Sequence, residues 1–177
     1  GKHGEAYLAF NEAIENGFSV AYGYRGVSLV ELGKPEAALQ DFENVQVSSK
    51  TPNFLLARGL AKKDMGDFEG ARADLAAYVE VEPDNVLARS SLAWLLAKAG
   101  NFEDALAQEL MVELAEPAAI SAYNLACFYA KTGDLEKVLE MLGRVKERDA
   151  SLLANIQADS DFDSLRSDPK FSAFLAS

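Results

Sequence analysis

Four glycines set the frame of this chain. Gly33, Gly66, Gly100 and Gly133 lie 33, 34 and 33 residues apart, inside the similar strings ELGKPEAAL, DMGDFEGAR, KAGNFEDAL and KTGDLEKVL. A period of this length restricts the chain to architectures in which one small supersecondary unit is repeated and stacked. The surroundings of each glycine recur as well. Seven residues before it lies a small residue, Gly26, Gly59, Ala93 or Ala126, and five residues after it lies Ala38, Ala71, Ala105 or Val138. Four residues further on comes a large apolar residue, Phe42, Leu75 or Leu142, except in the third unit, where Glu109 stands. That exception predicts a rotated second helix in the third unit.

Each unit reads as two helices. The chain is rich in Ala, Leu and Glu and poor in Ile, which favours helix over strand. The periodic glycine suits the left-handed position that ends a helix. Asp67, Asn101 and Asp134 follow at once, where N-caps are expected, and Pro35 takes the tolerated first position in the first full unit. Glu36, Glu69, Glu103 and Glu136 come next, where the helix dipole favours a carboxylate. Pro83 and Pro117 end two of the second helices.

On these residues the chain resembles the tetratricopeptide repeat family. The resemblance implies an all-α fold, a right-handed α-solenoid of antiparallel helix pairs, with four complete repeats at 19–50, 51–84, 85–118 and 119–150. Two features depart from the family pattern. The aromatic expected early in the first helix appears only as Tyr22, and Lys62 stands where Tyr129 fits better. Residues 1–18 match only the second helix of a repeat, through Gly1, Ala6, Phe10 and Ala13, which predicts a truncated repeat and a fragment of a longer parent. After Arg148 the period lapses. Residues 151–177 then read as a C-terminal helical cap with Ile156, Phe162, Leu165, Phe171, Phe174 and Leu175 as its apolar positions and Asp168-Pro169 as a helix start.

Two charges interrupt the apolar frame. Arg25 and Arg58 occupy the position of Leu92 and Leu125, and 16 residues after each arginine stands an aspartate, Asp41 and Asp74, where the other repeats carry Gln108 and Met141. Arginine and aspartate occur together or not at all. This predicts structural ion pairs, Arg25 with Asp41 and Arg58 with Asp74, either between the two helices of one repeat or between neighbouring repeats. Arginine can lay its methylenes on apolar surface and still present its guanidinium fork.

The residues offer no catalytic site. His3 is the single histidine and Cys127 the single cysteine, with no histidine following it. No Cys/His cluster has metal-ligand spacing and no phosphate loop occurs, so no enzyme activity, metal or cofactor is expected. The net charge of -11 argues against nucleic acid or an anionic membrane as partner. It suits a protein or peptide that is apolar with some basic residues. Binding follows from the resemblance instead. It implies that the first helices line a concave groove holding a peptide or helix, with Tyr24, Val27, Leu56, Leu60, Trp94, Lys98, Tyr123, Asn124 and Lys131 among the groove positions. Asn124 is the sole asparagine at a position of the carboxylate-gripping subclass, so that specificity is not expected. The alternative is a structural or oligomerising arm that regulates an enzyme domain elsewhere in the parent chain. The truncated first helix, lacking a partner helix on one side, would then self-associate.

Overall fold

The computed structural model describes residues 2–48 and 50–176, and the side chains of residues 2–4 and 155 lie outside the described set. Gly1 and the His3 side chain, both used in reading the sequence, therefore fall outside the described residues. Among those described, ten α-helices and two 3-10 helices follow one another with no strand. None of these helices is long and apolar enough to cross a membrane. The chain forms two compact units, residues 1–91 and 92–177.

The first unit holds α1 (Lys2–Glu15), α2 (Val20–Glu31), α3 (Pro35–Phe42), α4 (Pro52–Met65), α5 (Phe68–Val81) and the start of α6 (Val86–Lys98). Each of the first four packs on the next, and α2 also packs on α4. The turn between α4 and α5 shows how the repeat is made. Gly66 ends α4 at φ 85°, a left-handed conformation that costs a glycine little. Asp67 then accepts a hydrogen bond from the Gly70 backbone N–H at 3.0 Å and starts α5. The small residue seven before the glycine is there for helix approach. A Cβ on Gly26 would lie 2.9 Å from the Phe42 ring, in a core built from Leu29, Ala38, Phe42, Phe54, Ala57 and Ala61.

The two arginines each bridge the helices of one repeat. Arg25 on α2 donates through Nε and Nη2 to the Asp41 carboxylate on α3 at 2.7 and 2.6 Å. Its Nη1 donates to Asn11 Oδ1 on α1 at 2.6 Å, and Tyr22 and Tyr7 flank the guanidinium. Arg58 on α4 makes the same fork to Asp74 on α5, at 2.7 and 2.6 Å. Lys62, the departure from the aromatic pattern, adds a third contact to Asp74 at 2.9 Å. Both aspartates are buried while their cations stay partly hydrated. Burial pushes the Asp74 carboxyl up, but the bonds from Arg58 and Lys62 outweigh it and hold the group below the usual range.

The second unit holds the rest of α6, then α7 (Phe102–Ala115), α8 (Ala119–Thr132), α9 (Leu135–Asp149), 3-10 helices at Ala150–Asn155 and Ser160–Leu165, and α10 (Pro169–Ala176). Asp134 caps α9 by accepting from the Lys137 N–H at 3.2 Å, whereas Asn101 makes no side-chain cap bond. Ile156, Phe162 and Phe171 sink into the core beside Leu125, Ala126, Val138 and Leu142, and Phe162 stacks on Phe171 with centroids 5.7 Å apart.

The expected rotation of the third repeat's second helix does not occur. α7 keeps its register, with Ala105, Glu109, Val112 and Glu113 all buried. Glu109 fills the apolar position itself, 1% exposed, and accepts a hydrogen bond from Asn124 Nδ2 at 2.9 Å. One turn later Glu113 accepts from Ser121 Oγ at 2.5 Å and pairs with Arg148 at 2.7 Å and Arg144 at 3.3 Å. Burial raises the Glu113 carboxyl, but these three partners overcome it, so the group is held below its usual range and stays charged at neutral pH. Partners from α8 and α9 make two buried carboxylates tolerable on α7.

Candidate binding surfaces

In the first unit the groove positions carry a mixed surface. Tyr24 is 49% exposed, yet its ring stacks on Phe10 at 5.7 Å and meets the edge of Phe54 at 5.1 Å. Val27 packs against the core, while Leu56 and Leu60 are half-buried. Gly23, on the same face of α2, is buried, because Phe54 leaves no room for a Cβ, which would lie 2.3 Å from the ring.

The second unit carries a formed cleft. Trp94, Ala97 and Lys98 on α6, Phe102 on α7, Phe128 and Lys131 on α8, and Asp161 of the second 3-10 helix line a space of about 260 Å³. Trp94 is 47% exposed. The Lys98 ammonium lies 5.3 Å from its ring centroid, a cation–π distance. The apolar wall is aromatic, and the charged rim holds two lysines and one aspartate. Lys131 is paired with Asp161 at 3.0 Å. Trp94, Lys98 and Lys131 share this cleft. Tyr123 and Asn124 have other engagements. The Tyr123 hydroxyl donates to Asp159 at 2.6 Å, its ring meets Phe162 edge-on, and Asn124 is bonded to Glu109. Burial and then the bond to Asp159 push the Tyr123 hydroxyl far above the ordinary tyrosine range. The segment 159–162 thus returns over the face of α8 that carries Tyr123 and Cys127. Phe102, Phe128 and Asp161 were not among the sequence candidates. Phe102 reads as an ordinary residue after a cap, and Asp161 reaches the cleft only because the chain turns back 30 residues after Lys131.

Among the described residues, Cys127, Asp159 and Asp161 could hold a metal ion, with ligand atoms within 4.8 Å of one another. Both carboxylates already have partners within the protein: Asp159 accepts from Tyr123, and Asp161 pairs with Lys131. Burial first, then the charge of Asp161, push the Cys127 thiol far above its ordinary range, so it is a neutral, poorly ligating group.

Successive helix pairs with short glycine turns and an aromatic cleft define a helical-repeat protein, a class that works by interaction. Residues 56–119 match the family model described as "Tetratricopeptide repeat". A comparison with curated proteins finds no match. Among solved structures, the chain is similar to YrrB, described as a TPR protein with an unusual peptide-binding site, at TM-score 0.74 and 23% identity, covering 89% of this chain and 83% of that one. It is also similar to MamA at TM-score 0.72 and 12% identity, covering 82% and 88%. MamA from Desulfovibrio magneticus RS-1 follows at TM-score 0.68 and 21% identity, covering 89% and 93%. At these identities the likeness shows the fold, an all-α repeat of helix pairs. Fold and repeats together make the chain a protein–protein interaction module.

Proposed function

We propose that this module binds a peptide or helical segment through the faces of its first helices, with Trp94 as the anchor in the second unit. One observation carries the reading: the single tryptophan is nearly half exposed over a cleft of about 260 Å³, not packed away. Tryptophan is among the residues that most often dominate interface energy, at about 2 kcal/mol or more. An apolar partner side chain would lie against Trp94 and Phe128, and a carbonyl or carboxylate of the segment would meet Lys98. The net charge of -11 favours basic residues elsewhere in the segment. Tyr123 serves the fold rather than the ligand in this reading, since its hydroxyl and ring are already engaged.

The test is panning of a random peptide library on the protein, followed by titration of the recovered peptides. Because Trp94 is the sole tryptophan, its fluorescence reports contact directly. Trp94→Ala should weaken recovered peptides about 30-fold with an unchanged Tm. Peptides that bind the variant equally well, or that leave Trp94 fluorescence unmoved, would remove the cleft from the proposal.

A second reading, a self-associating scaffold arm, is favoured by Leu8 on α1 and Phe18 beyond it, which are 66% and 62% exposed. Sedimentation should then show a dimer that Leu8→Ser dissociates. A monomer at high concentration dismisses it.

A further inference from the structure

The outer face of α7 is unlike that of any other second helix in the repeats. Aligned on the repeat glycine, Ala107, Leu110, Met111 and Leu114 correspond to Gln40, Glu43, Asn44 and Val47 in the first repeat, the last three beyond the end of the short α3. They correspond to Ala73, Ala76, Ala77 and Glu80 in the second and to Glu140, Gly143, Arg144 and Glu147 in the fourth. The others are small or polar with one exception, and only α7 carries three long apolar side chains. Spacing of three, four and seven residues puts the four on one stripe. The stripe is bare: Leu110 and Met111 are each 44% exposed and Leu114 is 76% exposed. The buried side of the same helix holds Glu109 and Glu113 instead. Apolar and acidic residues have exchanged faces, yet the register is kept.

We propose that this stripe is a docking surface for a basic amphipathic helix of another protein. The charges around it select the occupant. Exposed Glu103 and Asp104 precede the stripe and exposed Glu116 follows it, and α7 contains no lysine or arginine. The nearby arginines, Arg144 and Arg148, are spent on Glu113 and Glu140. A second copy of this chain would bring carboxylates against carboxylates, with a net charge of -11 on each side. A helix with leucines on one face and lysines beside them satisfies both the apolar stripe and the acidic frame. The surface is separate from the Trp94 cleft, so either stands if the other fails.

A synthetic amphipathic helix of leucine and lysine, fluorescently labelled, is the probe, with a leucine/glutamate helix as control. The lysine helix should bind and the glutamate helix should not. Leu110→Ser/Leu114→Ser should weaken binding at least about tenfold with an unchanged Tm, since both sites are exposed. Glu103→Lys/Asp104→Lys should also weaken it, and Trp94→Ala should leave it intact. Equal binding by the serine variant, loss in Trp94→Ala alone, or tight binding of the glutamate helix would overturn the proposal. So would a dimer of the protein that Leu114→Ser dissociates, because the occupant would then be a second copy.

Discussion

Replacing Phe162 by alanine should destabilise the second unit by about 3–5 kcal/mol, the usual range for a fully buried phenylalanine. Phe162 is 0% exposed, stacks on Phe171 and meets Tyr123 edge-on. The cavity would open between the second 3-10 helix and α8. The loss should also release Asp159 from Tyr123 and Asp161 from Lys131, because the backbone that aims those carboxylates rests on this ring. Hydrogen exchange is the informative measurement. Protection should fall in α8 and α10 and in the segment 159–165, while α1–α5 keep theirs. Uniform protection across α8 in the variant would mean that residues 151–177 do not serve as its cap.

The second large effect belongs to Asp74. Its removal leaves Arg58 and Lys62 facing each other beside a buried site, and Asp74→Ala should cost about 3 kcal/mol. Asp41→Ala should cost less, because Arg25 keeps Asn11 and its two tyrosines. The double change Arg58→Leu/Asp74→Leu should cost less than Asp74→Ala alone if the penalty comes from stranded charge. The pH dependence has a fixed sign. The folded carboxyl sits below its unfolded value, so its contribution is complete above about pH 4 and is lost as pH falls through the folded value. Urea unfolding of the wild type should weaken on acidification, and Asp74→Ala should flatten that slope. An unchanged acid slope would show that Asp74 is not the group responsible.

Much of the architecture was legible because it rests on local rules. A glycine that ends a helix works through its own φ, and Gly33, Gly66, Gly100 and Gly133 all lie between 69° and 85°. Asp67 and Asp134 cap through bonds only three residues long. The repeat period follows from one unit burying its face on the next, so the helix pairs were written in the spacing. What remained hidden depends on partners brought from far along the chain. Glu109 looked like the mark of a rotated helix, because an acid at an apolar position has no local remedy. Asn124, fifteen residues on, supplies one, and Ser121, Arg144 and Arg148 do the same for Glu113. Tyr123 and Lys131 read as groove residues by their place on α8, but the chain returns and meets them with Asp159 and Asp161. By itself the sequence determined the helices, their turns and their pairing. Tertiary structure decided which charges could be buried and which aromatic, Trp94, was left facing a cleft. Both outcomes depend on desolvation and close packing, which act through space and leave no period in the chain.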